Sequence, residues 1–290
     1  MKRVILCPNP YRDKGLAAAK EANSILRSVG LETVYCLPFK PEGGDGQFGV
    51  HCRPLHQEIR SSDLIIAFGG DGTILHLART ASMRSTPVLG VNLGSLGFMS
   101  DLEAGELDLL KNLANGRYRR EKRMMLDVAV VREGRTVYTG GALNDAVITK
   151  GAMARVVRLQ VTAGEEQLGI FSGDGVVVAT PTGSTGYSLS AGGPIVEPTA
   201  QNFVISPICA HTVFTKSFLS ATGTVTVTPA ELNRKQVYLS VDGGKAFSLR
   251  QGDKVRICRS RYETELLRLT DKSIYEILRT KMTGGIGYEK

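Results

Sequence analysis

Short apolar segments alternate with amphipathic segments along the first third of the chain. The predicted strands are residues 3–7, 31–37, 63–68 and 87–92. Between them, apolar residues recur at helical spacing in segments 15–29 and 74–81, and a short helix is predicted from Pro54. A second glycine-rich turn leads to a predicted helix at 103–113. Alternating strands and helices are typical of a small parallel sheet with helices on both sides.

From about Arg123 the period of the pattern changes. Short runs rich in Val, Ile, Leu and Thr follow one another, with few helical patterns between them, which favours an all-β domain. The runs are residues 125–132, 143–149, 155–163, 167–179, 203–209, 223–228, 236–241 and 253–259. Segment 271–281 returns to helical spacing, with Asp271 as its predicted N-cap.

These patterns predict two domains. The first, residues 1–120 with the C-terminal segment 268–290, is a Rossmann-like α/β domain, and the C-terminal helix returns to it. The second, residues 121–267, is an all-β domain that resembles a β-sandwich.

The turn after the predicted strand 63–68 carries the strongest chemical signal. Gly69-Gly70-Asp71-Gly72-Thr73 joins a buried strand to a helix, so its free backbone N–H groups would attract phosphate. A carboxylate repels phosphate, whereas a turn that must also take a proton from a hydroxyl needs one. Asp71 is therefore the candidate base.

The alternative is that this turn is a tight turn and nothing more. Residues 43–46 repeat the letters Gly-Gly-Asp-Gly, but they lie in a polar, Pro/Gly-rich stretch with no strand before it and no helix after it. We therefore interpret 43–46 as a loop and 69–73 as the site.

Composition narrows the class of protein. The 290 residues are 42% hydrophobic and 22% charged, as in ordinary globular proteins, and no apolar run approaches the length of a membrane span. Five scattered cysteines favour reduced thiols rather than a disulfide framework, so we expect a cytoplasmic protein that does not contact a membrane. The net charge of +8 suits a partner that carries phosphate groups.

Two other polar clusters have less specific interpretations. His51, Cys52 and His56 lack a fourth ligand for zinc, and a loop entering a helix explains them better, so we predict no metal-binding side chains. The basic run 117–123 has one aromatic residue, Tyr118, and is more typical of a solvated face than of a nucleic-acid surface.

Three further stretches suggest ligand contacts. Leu96-Gly97-Phe98 lies in a glycine turn after strand 87–92, with a linker as the alternative. Asn144-Asp145 begins a predicted strand and has the hydrogen-bonding groups to hold ribose hydroxyls or a base edge, although this dipeptide is also common in turns. Residues 172–194 combine glycines, hydroxyls and a tyrosine in a stretch that offers little core, which favours ligand contact.

These motifs, in this order, resemble those of the NAD kinases, which transfer the terminal phosphate of ATP to the 2′-hydroxyl of the adenosine ribose of NAD. The resemblance covers most of the chain. The Gly-Gly-Asp-Gly motif is shared with diacylglycerol, sphingosine and 6-phosphofructo kinases, whereas the stretch from Thr182 to Ser190 is more specific to NAD kinases.

The resemblance implies roles for individual residues. Asp71 would be the general base, Asn144 and Asp145 would hold the adenosine part of NAD, and Asp174 would face its nicotinamide end. The other implied nucleotide-binding residues are Gly70, Gly72, Thr73, His76, Phe98, Arg155, Thr182, Thr185, Gly186, Tyr187, Ser190 and His211. Mg²⁺ would act with ATP and be held largely by the nucleotide. The family is usually dimeric or tetrameric, so a homo-dimer or homo-tetramer is expected.

The chain departs from the family pattern at three positions. Asp145 stands where many members have glutamate, Gly186 where alanine is usual, and Gly244 where some members have glutamine. Two alternative functions follow from the same residues. A lipid kinase would share the Gly-Gly-Asp-Gly turn, and an NAD(H)-sensing module would keep the fold and bind without turnover.

Overall fold

The computed structural model describes residues 1–39, 48–151, 155–211, 216–232 and 236–282, so the predicted loop at 43–46 lies outside the described residues. The chain divides into two units, Met1–Lys122 with Thr264–Lys290, and Arg123–Glu263. It passes from the first unit to the second within the strand Arg119–Arg132 and returns within the strand Lys254–Arg268.

The first unit is built on a parallel sheet. Its strands are β1 (Arg3–Pro8), β2 (Glu32–Tyr35), β3 (Leu64–Gly69), β4 (Val88–Asn92) and β5 (Leu102–Glu103). They run in the order β2-β1-β3-β4-β5, and Leu266 pairs in parallel with Val88. Every residue of β3 and β4 is buried, as expected for strands covered on both faces. The carboxyl ends of β3 and β4 therefore meet at one edge of the sheet.

Helices pack against this sheet through apolar side chains. They are α1 (Ala17–Ser28), α2 (Leu55–Glu58) and α3 (Asp71–Ser82), with 3-10 helices at Lys14–Leu16, Ile59–Ser61 and Ala104–Leu113. Leu16, Ala19, Ala22 and Leu26 join residues of β1, β3 and β4 in one core. The segment predicted as a helix at 103–113 is a 3-10 helix that begins one residue later.

The second unit contains two layers of mainly antiparallel strands. The strands are β6 (Arg119–Arg132), β7 (Arg135–Ala142), β8 (Asp145–Lys150), β9 (Val157–Ala163), β10 (Glu166–Gly173), β11 (Gly175–Ala179), β12 (Phe203–Ile208), β13 (Phe218–Ser220), β14 (Thr224–Glu231), β15 (Val237–Val241), β16 (Phe247–Leu249) and β17 (Lys254–Arg268). One layer has the order β13-β12-β11-β8-β15-β16, and the other includes β10-β9-β14-β17. Apolar residues of both layers form one core, which confirms the predicted all-β architecture.

The predicted strand 167–179 is in fact two strands, because the chain turns at Asp174 between β10 and β11. Sequence reasoning missed β7, β13 and β16 in this unit, and β5 in the first unit. A four-residue helix, α4 (Tyr187–Ser190), follows the 3-10 helix Thr182–Thr185.

The C-terminal helix α5 (Ile274–Met282) belongs to the first unit. Its predicted N-cap, Asp271, is wrong. Ser273 caps the helix instead, because the Glu276 N–H donates to Ser273 Oγ (3.2 Å) and the Ser273 N–H donates to Glu276 Oε2 (3.0 Å). No helix in the described part of the chain is long and apolar enough to span a membrane.

Candidate active site

The turn between β3 and α3 carries Asp71. β3 ends at Gly69, and α3 begins at Asp71 with Gly70 as its N-cap. A Cβ atom at Gly69 would lie 2.3 Å from Thr73 Oγ1, so this close approach of strand to helix requires glycine. The turn places a carboxylate beside the free backbone N–H groups of a helix N-terminus.

The residues that follow β4 hold the Asp71 carboxylate. Oδ2 accepts the N–H of Phe98 (2.8 Å), while Oδ1 accepts the N–H of Met99 (3.1 Å) and the hydroxyl of Ser100 (3.3 Å). Gly97 packs against the same carboxylate, because a Cβ atom there would lie 2.3 Å from Oδ1. A carboxylate offers roughly four acceptor positions, and the described residues occupy three, which leaves one on Oδ2.

Asp71 lines a cavity of about 240 Å³ at this edge of the first unit. Two glycine turns, 70–72 and 94–97, form much of its wall. Two cations from distant parts of the sequence, Arg12 and Lys281, also line it. The Lys281 ammonium lies 4.7 Å from the centre of the Phe98 ring, a cation–π contact. Backbone N–H groups and fixed cations together suit a phosphate chain.

The other predicted residues of the first unit differ in their placement. Gly70 and Gly72 line the cavity, and Phe98 contributes its N–H to Asp71. Thr73 is buried and accepts a hydrogen bond from Asn9 Nδ2 (3.3 Å), so it supports the turn. His76 is exposed on α3, and its ring lies 4.6 Å from the Phe39 ring. Neither Thr73 nor His76 lines this cavity.

In the second unit, Asp242 organises the turn that contains Asn144 and Asp145. Its carboxylate accepts the backbone N–H groups of Leu143 (2.7 Å), Asn144 (2.8 Å) and Asp145 (3.0 Å). The Asp242 N–H in turn donates to the Asp145 carbonyl (3.0 Å). Asn144 Oδ1 is buried and has no partner in the described part of the chain.

Asp145, which is buried, and Asp242, which is half-buried, are therefore neighbouring carboxylates. Burial, and after it the negative charge of Asp242, raises the pKa of Asp145 to about 7. Burial also raises the pKa of Asp242, although its three backbone N–H bonds act in the opposite direction. Near neutral pH, this pair takes up a proton that isolated aspartates would release.

The hydroxyl-rich turn predicted at 180–190 packs against the same residues. Thr180 Oγ1 donates to the Leu143 carbonyl (2.6 Å), and the Thr180 N–H donates to the Asn144 carbonyl (2.8 Å). A Cβ atom at Gly183 would lie 2.2 Å from the Asn144 carbonyl oxygen. Glycine at 183 is thus needed for the two turns to approach each other.

The predicted ligand residues of this turn lie at graded depths. Thr182 is buried, and Arg123 donates to its hydroxyl (3.2 Å). Thr185 and Gly186 are partly exposed, and Tyr187 and Ser190 are exposed on α4. At Gly186 a Cβ atom would lie 3.5 Å from Asn144 Nδ2 and 3.9 Å from Asp145 Oδ2. The structure thus brings Asn144, Asp145 and the 182–186 turn together.

A second group of predicted residues lies at the other end of the strand pair β8–β11. Asp174 forms a half-buried ion pair with Lys150 (2.7 Å). His211 is exposed, and its backbone N–H donates to the Ser172 carbonyl (2.7 Å). Arg155 is also exposed. Asp145 pairs with Ala179 at the far end of β11, so five residues separate the groups, about 17 Å at 3.4 Å per residue.

Sequence reasoning missed Arg12, Asn92, Lys281 and Asp242 as parts of these sites. Arg12 and Lys281 stand in stretches with no motif, and only the fold brings them to Asp71. Asp242 lies in an Asp-Gly turn. This dipeptide predicts a hairpin, and it gives no sign of hydrogen bonds to a segment about 100 residues earlier.

The described residues contain no group of three or more His, Cys, Asp and Glu side chains that could hold a metal ion by itself. The cavity around Asp71 does offer one unused oxygen ligand. Asn92 lines it, and its Nδ2 donates to Glu103 (2.9 Å) and to the Gly94 carbonyl (3.2 Å), which fixes the orientation of the amide. Asn92 Oδ1 is buried and has no partner among the described residues. An amide oxygen suits a hard cation that phosphate groups already hold.

Comparisons with known proteins bear on the family of the chain. Residues 52–118 match the family model described as the ATP-NAD kinase N-terminal domain, and residues 143–269 match the ATP-NAD kinase C-terminal domain. The chain is 37% identical over 288 residues to an NAD kinase of Natranaerobius thermophilus, covering 98% of this chain and 99% of that one. It is 44% identical over 223 residues to an NAD kinase of Symbiobacterium thermophilum, covering 77% and 79%.

Two solved structures share the fold. A yeast NADH kinase complexed with NADH superposes with a TM-score of 0.82 at 24% identity, covering 100% of this chain and 89% of that chain. An NAD kinase from Archaeoglobus fulgidus in complex with ATP superposes with a TM-score of 0.72 at 22% identity, covering 98% and 100%.

Proposed function

The chain belongs to the NAD kinase family and phosphorylates NAD to NADP with ATP, and we propose that Asp71 is the general base of this reaction. The observation that carries the proposal is the acceptor position on Asp71 Oδ2 that no described residue occupies once three donors have fixed the carboxylate. The ribose 2′-hydroxyl would donate its proton to this oxygen as its own oxygen attacks the terminal phosphorus atom of ATP, and the bond from that phosphorus to the β-phosphate oxygen would break to release ADP. Membership of this family removes the lipid-kinase alternative.

The cavity around Asp71 supplies the groups that phosphoryl transfer requires. We assign the phosphate chain of ATP to the glycine turns 70–72 and 94–97, whose backbone permits close approach. Arg12 and Lys281 would neutralise charge on the phosphate oxygens. Mg²⁺ would supply positive charge to the phosphate groups, and Asn92 Oδ1 is the protein atom that we expect to help hold it.

We assign the adenosine ribose of NAD to Asn144 and Asp145. The two carboxylate oxygens of Asp145 are acceptors and the side-chain amide of Asn144 is a donor. Together they match the donor and acceptor character of ribose hydroxyls. Asp145 accepts two hydroxyl groups best when it is ionised, which its raised pKa makes dependent on pH. The further residues that we expect to line this part are Thr182, Thr185, Gly186, Tyr187 and Ser190.

The nicotinamide end of NAD is assigned to Asp174, with Arg155 and His211 as neighbouring contacts. The separation of about 17 Å between the two ends of β8–β11 is compatible with an extended dinucleotide. His76 stays a predicted contact of the first unit.

Two further proposals concern the oligomeric state and the cellular location of the protein. We propose a homo-dimer or homo-tetramer that associates through the second unit, where Leu189, Ile195 and Leu219 are large apolar side chains exposed to solvent. We propose a cytoplasmic location, because all five cysteines are free thiols, two of them fully buried. We expect no membrane and no nucleic acid among its partners.

The proposal is tested by NADP formation from ATP and NAD, with Asp71→Asn and Ser100→Ala compared with the parent. Asp71→Asn removes the base and should lower kcat by about 10²- to 10⁴-fold. Ser100→Ala removes only the longest of the three hydrogen bonds and should cost less than about tenfold. If Asp71→Asn keeps kcat within a few-fold of the parent, Asp71 is an orienting residue rather than the base.

The same assay decides the sensing alternative. A module that binds NAD(H) without turnover would bind NAD tightly and form no NADP with Mg-ATP. A parent protein with that behaviour would contradict the kinase assignment as a whole.

A further inference from the structure

Arg268, at the end of β17, is a buried cation with an unusual set of partners. Only 10% of its side chain is exposed. One terminal nitrogen donates to the backbone carbonyls of Met99 (2.9 Å) and Ser100 (3.2 Å) and lies 3.9 Å from Asp101 Oδ1, and the other lies 3.4 Å from a Glu121 oxygen. A guanidinium is withdrawn from water only at a cost, so its contacts to backbone carbonyls call for an explanation beyond simple ion pairing.

The two residues whose carbonyls Arg268 binds are also donors to Asp71. Met99 donates its N–H to Asp71 Oδ1, and Ser100 donates its hydroxyl to the same oxygen. One short segment thus accepts hydrogen bonds from the arginine and donates hydrogen bonds to the carboxylate. The planar guanidinium can hold two carbonyls in one fixed arrangement, which a flexible ammonium does less well.

Neighbouring residues of the two segments strengthen this connection. The Asp101 carboxylate accepts the N–H groups of Leu269 (2.7 Å) and Thr270 (3.2 Å) and the Thr270 hydroxyl (2.9 Å). Asp101 lies beyond the donors to Asp71, however, whereas Arg268 contacts the donor residues themselves. Arg268 is therefore the member of this network with the most direct route to Asp71.

We infer that Arg268 is a positioning residue for Asp71, acting through the segment 98–100 that fixes the orientation of the carboxylate. By holding the Met99 and Ser100 carbonyls, Arg268 keeps their donor groups on Oδ1 and so leaves Oδ2 directed for proton transfer. This inference rests on the proposed role of Asp71 as the base. It requires no contact between Arg268 and either substrate.

The first experiment compares steady-state kinetics of Arg268→Met and Arg268→Lys with the parent. Misplacement of Asp71 should lower kcat of Arg268→Met by about 10- to 100-fold, with the KM values for NAD and ATP within about threefold of the parent. Arg268→Lys keeps the charge and should recover part of kcat. Arg120→Met is the matched control, because Arg120 is half-exposed and pairs with Glu265 (3.1 Å). It should keep the parent kcat.

Two results of this first experiment would overturn the inference. One is a parent-like kcat in a folded Arg268→Met, and the other is a raised KM with unchanged kcat. If Arg268→Met fails to fold, Arg268→Lys decides the question by the same split, with a loss of kcat at unchanged KM expected.

A double variant separates this inference from the proposed function. Asp71→Asn alone tests whether Asp71 is the base. In the Asp71→Asn background, Arg268→Met should lower kcat by less than about threefold, because the group through which it acts has already been removed. A full additive loss would overturn the positioning role while leaving Asp71 as the base. A nearly active Asp71→Asn would instead contradict the proposed function.

Discussion

Each unit places an aspartate at the end of a buried strand, yet the surroundings of the two carboxylates are opposite. Asp71 follows β3 and accepts three hydrogen bonds from the segment 98–100. Asp145 begins β8, is 6% exposed, and has the carboxylate of Asp242 as its charged neighbour. No described residue donates a hydrogen bond to the Asp145 side chain, and its pKa rises to about 7.

The comparison shows how one residue type acquires two roles. A carboxylate fixed by donors on one side keeps its direction, which suits a base that must meet one hydroxyl. A carboxylate buried beside another carries an unfavourable charge that a ligand with hydroxyl donors can relieve. We therefore expect the first site to determine kcat and the second to determine affinity for NAD.

The largest effect is expected from Gly97→Ala, which adds one methyl group beside the Asp71 carboxylate. In Gly97→Ala the new Cβ atom would lie 2.3 Å from Asp71 Oδ1 and 2.7 Å from Ser100 Oγ. Displacing the base should lower kcat by about 10²-fold or more. Gly186→Ala is the matched control, since its Cβ atom would lie 3.3 Å from the Gly183 carbonyl oxygen and 3.9 Å from Asp145 Oδ2, and kcat should stay within about threefold. Equal kcat values for the two variants would remove the distinction between the sites.

The next effect concerns affinity. Asp145→Asn removes a charged acceptor for the ribose hydroxyls, and charge-assisted hydrogen bonds contribute about 1.5–3 kcal/mol, so KM for NAD should rise roughly 10- to 100-fold. The fall in kcat should be much smaller than in Asp71→Asn. Steady-state kinetics with NAD varied at saturating ATP measures both. An unchanged KM for NAD would exclude Asp145 from the ribose site.

A smaller effect is expected when pH is varied. Below about pH 7 the Asp145 carboxylate is increasingly protonated, so kcat/KM for NAD should fall, approaching tenfold per pH unit. Asp145→Asn should flatten this acidic limb between pH 7 and pH 6, while Ser100→Ala should retain it. If the fall in kcat/KM below pH 7 persists unchanged in Asp145→Asn, a titratable group other than Asp145 causes it.

Much of the fold follows from sequence because local pattern and burial agree. The apolar run of β3 and the glycines after it are local signals, and they correctly predict a buried strand followed by a helix. The edge strands β13 and β16 contain only three residues each, which is too short to show a period. The prediction of Asp271 as N-cap is wrong because Ser273 and Glu276, just after it, form two reciprocal hydrogen bonds. Such a pair stabilises a helix N-terminus more than a single acceptor does.

The residues that surround Asp71 and Asp145 were less predictable, because they are distant from these aspartates in sequence. Asp71 is predicted as the base from its own turn, but the donors from Phe98, Met99 and Ser100 lie 27 to 29 residues later, and Arg268 lies 168 or more residues beyond them. The like-charge pair of Asp145 and Asp242 depends on β8 and β15 being neighbours in one sheet. Such contacts follow from topology and not from any local spacing.

The smallest expected effect, on thermal stability, should have opposite signs at the two aspartates. The pKa of Asp145 is about 7 in the folded protein against about 3.9 in an unfolded chain, so protonation stabilises the fold. That stabilisation is complete below about pH 4 and is lost as pH rises through 7. Asp145→Asn stays neutral, so at pH 8 it should be more stable than the parent by roughly 1 kcal/mol or more, raising Tm by about 2–4 °C.

Asp71→Asn should instead lower Tm at every pH, because an amide cannot accept all three of the hydrogen bonds that reach Asp71, and an unmet buried donor costs about 1–3 kcal/mol. Calorimetry of parent and variants at pH 5 and pH 8 measures both signs. The advantage of Asp145→Asn over the parent should be larger at pH 8 than at pH 5, because only the parent loses its proton in that interval. If Asp145→Asn melts below the parent at pH 8, the carboxylate is stabilised by its surroundings after all, and the contrast between the two aspartates does not hold.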